Sequence, residues 1–82
     1  MQTEFEYIYF ENVTPYDGRK TTVWNCRNKK STDLLGKISW YGPWRQYVYF
    51  TIPDVVLSAG CLTDIRNFIA NLMHERRREK NP

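Results

Sequence analysis

The chain has 82 residues and a formal net charge of +3, and 16% of it is aromatic: six Tyr, four Phe and three Trp. So short a chain buries only roughly 60–65% of its unfolded surface, which limits it to one thin core packed largely by big rings. It holds no apolar run near the roughly 20 residues of a membrane span, and Glu4 and Glu6 stand where a secretory signal needs positive charge, so the expected compartment is the cytoplasm.

In chain order, residues 5–10 (FEYIYF) are aromatic and β-branched enough for a first strand. The run Thr14-Pro15-Tyr16-Asp17-Gly18 is a loop, because proline sets one φ and Asp-Gly tolerates a positive one. Residues 21–27 (TTVWNCR) alternate, with Thr22, Trp24 and Cys26 on one face and Val23, Asn25 and Arg27 on the other. A polar turn over 28–33 leads to residues 34–41 (LLGKISWY), where Gly36, Ile38 and Trp40 oppose Lys37, Ser39 and Tyr41. Gly42-Pro43 breaks that strand. Residues 46–52 (QYVYFTI) form the next, with Val48, Phe50 and Ile52 facing one way and Tyr47, Tyr49 and Thr51 the other, Arg45 in phase with the tyrosines.

From Ser58 the period changes. Cys61, Leu62, Ile65, Phe68, Ile69, Leu72 and Met73 make the stripe of an amphipathic helix. Ser58 suits its N-cap, and Arg76, Arg77 and Arg78 complement the negative end of its dipole. The expected fold is α+β: an antiparallel three- to four-stranded β-meander with one C-terminal amphipathic helix packed on one face. It forms a single domain over 1–82, with an N-terminal strand and loop over 1–20, the meander over 21–52 and the helix over 58–78. Trp24, Ile38, Trp40, Val48, Phe50 and Ile52 are the expected partners of Leu62, Ile65, Phe68, Ile69 and Leu72.

Leu35-Gly36, Ile38 to Tyr41, Trp44 to Phe50, and Cys61 to Ile69 together resemble a pattern in a group of short, uncharacterised proteins met in bacterial and phage genomes. The resemblance covers residues 22–76. It implies a small domain and a phage or prophage setting, and it carries no activity, cofactor or site residue. The order of three strands and a helix also resembles the DNA-binding domains of some plant transcription factors and phage integrases, in topology alone.

No catalytic constellation is visible. His74 is the only histidine and has no nucleophile at motif spacing, and Asp33, Asp54 and Asp64 sit at element boundaries, where Asp serves turns and caps. Cys26 and Cys61 lack the neighbours of a zinc site and read as two buried free thiols, a disulfide being the minor alternative. The expectation is a binding protein that is not an enzyme and uses no cofactor or metal.

The expected ligand-binding surface is the sheet face away from the helix: Arg27, Lys37, Tyr41, Arg45, Tyr47 and Tyr49, with Trp44 in the turn beside it. Rings beside cations on an open sheet suit single-stranded nucleic acid or a nucleotide. The same residue types suit the centre of a protein interface, of an adaptor or inhibitor or of a homodimer. The plainer alternative is structural: cross-strand aromatic pairs stabilise sheets without a ligand, and the first strand either covers this face or extends the sheet. Trp44 and Arg45 are expected to stack on each other, and Arg76 to Arg78 either to meet phosphate or to form a solvated helix end.

Overall fold

The computed structural model describes residues 1–80, so the last two positions of the expected domain lie outside it. Four strands form one antiparallel sheet in sequential order: β1 (Ile8–Asn12), β2 (Trp24–Asn28), β3 (Leu34–Tyr41) and β4 (Gln46–Thr51). A short 3₁₀ turn, Gly42–Trp44, joins the last two, and the helix α1 (Ala59–Lys80) follows. This is the expected α+β meander with its C-terminal helix.

The first strand extends the sheet and leaves the open face uncovered. Its pairing runs from Ile8 opposite Asn28 to Asn12 opposite Trp24. It begins later than expected because the chain first doubles back: the Phe10 N–H donates to the Thr3 carbonyl at 2.8 Å and the Phe5 N–H to that of Ile8 at 2.9 Å. These contacts, and a bridge between Glu4 and Tyr9, cover the outer edge of β1, which as bare backbone would invite pairing with other chains.

The helix crosses the face that carries Ile8 and Phe10 of β1, Trp24 and Cys26 of β2, Ile38 of β3 and Tyr47 of β4, and seats Ile65, Phe68 and Leu72 on them. Phe68 is the hub. Its fully buried ring stacks on Phe10 at 4.0 Å between centroids and meets the edge of Trp24 at 5.0 Å. Ser58 caps α1 as expected, its Oγ accepting from the Cys61 N–H at 3.2 Å. Leu62 departs from the expected core. It is 53% exposed, because Cys61, Ile65, Phe68 and Leu72 define the contact line and Leu62 sits off it.

The second departure concerns β4, whose faces are the reverse of those expected. Trp40 lies opposite Tyr47 and Ile38 opposite Tyr49, so both tyrosines share the helix side of the sheet. Val48 and Phe50 point to the open side, and Phe50 is 42% exposed. Loop parity is the cause. Tyr41 pairs with Gln46, leaving an even number of residues between the strands; an odd loop would have set Val48 opposite Trp40. Arg45 closes this loop in the left-handed conformation, φ 52°, with its N–H on the Gly42 carbonyl at 3.1 Å. Tyr47 tolerates burial because its tip is satisfied: its hydroxyl accepts from the Thr22 N–H at 3.0 Å.

Both cysteines are free thiols. Cys26 is fully buried and Cys61 half-buried, so the expectation of two buried thiols holds for one of them. Burial pushes the Cys26 thiol up to about 11 from its usual 9.0. A disulfide-exchange reagent at neutral pH is expected to label one thiol per chain in the native protein and the second only on unfolding. Above pH 9 the unfolded chain ionises Cys26 while the folded chain keeps its proton to about 11, so stability should decline through that window. Prompt native labelling of both thiols would contradict this packing.

Candidate binding surfaces

The open face divides into a polar half on β1 and β2 and an apolar half on β3 and β4. In the polar half, the Arg27 Nε donates to Glu11 Oε1 at 2.6 Å and the Asn25 Nδ2 to the same oxygen at 3.1 Å. Those two hydrogen bonds, Arg27 first, hold the Glu11 carboxyl below its ordinary range. A second guanidinium nitrogen of Arg27 donates to the Thr32 carbonyl at 3.0 Å. Arg27 is therefore on the expected face, but its charge is already matched by Glu11.

In the apolar half, Tyr41 and Trp44 meet edge to face at 5.0 Å. With Val48, Tyr49 and Phe50 they line a shallow depression of about 290 Å³. Trp44 is 66% exposed, and the Lys37 Nζ stands 5.9 Å from the centre of the Phe50 ring. Four of the seven expected site residues, Arg27, Lys37, Tyr41 and Trp44, thus belong to this surface.

The side chains of the other three do not, although the chain passes along the depression at Tyr49. Tyr47 is in the core, 5% exposed. The Tyr49 ring lies on the helix side over Gly36, and its hydroxyl is buried facing the Cys26 thiol without a well-formed hydrogen bond. Burial raises the Tyr49 phenol well above its usual value. Arg45 turns to the helix side, where with Trp40, Gly42, Met73, Arg76 and Arg77 it lines a cleft of about 390 Å³. The expected stack of Trp44 with Arg45 is replaced: Trp44 pairs with Tyr41, and Arg76 stacks on Trp40 with its guanidinium carbon 4.6 Å from the ring centre. Val48 and Phe50 are the open-face residues that the alternation of β4 hid. The parity of the loop, read against Trp40 as a core residue, is the signal that exposes them.

Among the described residues no group of His, Cys, Asp and Glu is placed to hold a metal ion, and no helix is long and apolar enough to cross a membrane. His74 is exposed on the helix.

What fold and surface define is a small α+β protein with a four-stranded meander, one helix behind it and an aromatic patch in front. Over 72 residues the chain is 40% identical to an uncharacterised 9.3 kDa protein of Acholeplasma phage L2, a match that spans 88% of this chain and 91% of the phage protein. The chain belongs to the same family as that phage protein. No protein-family model and no solved structure matches it.

Proposed function

We propose that this is a non-enzymatic accessory protein of phage type, working in the cytoplasm, which acts by binding another protein through the apolar half of its open sheet face. One observation carries the reading: Tyr41, Trp44, Val48 and Phe50 gather around a single depression on a face that no other described element of the chain covers. Aromatic rings on a rigid sheet make interface anchors at low entropic cost, because little side-chain freedom remains to be lost. Lys37 beside Phe50 favours a partner that brings a carboxylate to the rim of an apolar contact. Nucleic acid is the weaker occupant of this face. Two expected stacking rings, Tyr47 and Tyr49, lie on the other side, and Arg27 is engaged by Glu11.

The test is affinity purification from host lysate with nuclease present, at low and at high salt. The bait is the wild type or the double variant Trp44→Ala/Phe50→Ala. A specific protein is expected with the wild type at both salt concentrations and lost with the variant, each anchor contributing at least about 1 kcal/mol. Identical recovery with both baits, or recovery abolished by nuclease, would defeat the proposal. Self-association of the wild type that the variant lacks would instead put a second copy of this chain on the patch.

A further inference from the structure

We infer that the cleft at the carboxyl end of α1, on the opposite side of the sheet, is a binding site for a phosphomonoester carried on a planar organic body, of which a nucleotide is the fitting class. Three arginines from two separate elements line the cleft: Arg45 from the loop before β4, and Arg76 and Arg77 from the helix. Among the residues whose side chains are described, which end at Arg78, no carboxylate pairs with any of the three, while Arg78, next in sequence, is engaged by Glu75 at 3.5 Å.

Arg76 is not a solvated helix-end residue. Its side chain is half-buried, its guanidinium is laid on Trp40, and its Nε is buried with no hydrogen-bond partner. Trp40 is itself braced edge-on by Tyr47 at 5.3 Å. Stacking fixes the plane of a guanidinium while leaving its in-plane N–H groups free to donate, which is the arrangement that recognises phosphate bidentately.

Charge chooses among anions. Like charges gathered at one opening repel, and a carboxylate brings a single negative charge. A phosphomonoester brings about −1.5 to −2 at neutral pH and three acceptor oxygens. Size argues for more than inorganic phosphate. At about 390 Å³ the cleft falls in the range of small-molecule sites, and Trp40 and Met73 provide apolar wall for a ring beside the arginines.

Isothermal titration of the full chain with adenosine 5′-monophosphate, adenosine and inorganic phosphate tests this, with a 5′-phosphorylated and a 5′-hydroxyl oligonucleotide to separate a free nucleotide from a strand end. The monophosphate is expected to bind more tightly than phosphate alone, and adenosine not at all. Arg45→Gln and Arg77→Gln should each weaken it by about tenfold or more, the loss of one charge-assisted hydrogen bond. Their unfolding midpoints should match the wild type, since both side chains are exposed. Trp44→Ala should bind like the wild type, which separates this cleft from the open face. Equal binding of adenosine and its monophosphate, or wild-type affinity in both arginine variants, would overturn the assignment. So would the absence of binding by both the monophosphate and the phosphorylated strand.

Discussion

Phe68→Ala is expected to cost about 3–5 kcal/mol in chemical denaturation, the largest loss of any single truncation in this chain. The ring is fully buried and makes three kinds of contact at once: a parallel stack on Phe10, an edge contact with Trp24, and helix-to-sheet packing beside Ile65 and Leu72. Phe10 in turn meets the edge of Phe5 at 5.8 Å, so the ring cluster ties the doubled-back N-terminal segment to the helix. A domain of this size is stable by only about 4–12 kcal/mol, so the variant should sit near the edge of folding at room temperature. Leu62→Ala is the matched control. The sequence pattern assigns Leu62 to the same stripe, but the residue is exposed in the fold, and its truncation should stay within about 0.5 kcal/mol. Equal losses at the two positions would mean that the helix is rotated about its axis relative to the packing described here.

That contrast shows where the sequence was legible. The strand over 34–41 and the helix from Ser58 are readable because each follows one strong rule, period two or period 3.6, with one chemical boundary: Gly42-Pro43 after the strand and the Ser58 cap before the helix. Trp24, Cys26 and Ile38 fall on the helix side as alternation predicts. The face of β4 was not legible from alternation, because both of its faces are apolar: Tyr47 and Tyr49 on one, Val48 and Phe50 on the other. Hydropathy favours burying Val and Phe over Tyr. The fold reverses that choice through the even loop, and the Tyr47 hydroxyl makes the reversal tolerable by reaching the Thr22 backbone at the rim of the core. The candidate surfaces follow from this one decision. With β4 reversed, the open face loses two tyrosines and gains Phe50 and Val48, and Arg45 leaves it to join Arg76 and Arg77, 31 and 32 positions on in sequence. Positional pattern alone brings no such distant residues together.

The reversal also explains Gly36, and yields the second large effect. Tyr49 lies two positions along the strand from Thr51, the partner of Gly36, and so on the same face; its ring leans across the glycine, so that a Cβ built there meets the ring's outer carbon and hydroxyl. The Phe50 carbonyl stands 2.8 Å from the same point. Gly36→Ala is therefore expected to destabilise by about 1–3 kcal/mol through overpacking, although alanine in place of glycine ordinarily favours a strand. The cause is separable by backgrounds. Tyr49→Phe keeps the ring and removes only a buried hydroxyl that lacks a good partner; it should be neutral or slightly stabilising alone, and the full cost of Gly36→Ala should persist in it. Tyr49→Ala removes the ring, is itself destabilising, and should relieve most of the Gly36→Ala cost, giving a coupling of at least about 1 kcal/mol in a double-mutant cycle. The Phe50 carbonyl would account for what remains. A Gly36→Ala cost that is the same in all three backgrounds would assign the whole effect to the Phe50 carbonyl and count against the close approach of the Tyr49 ring to Gly36.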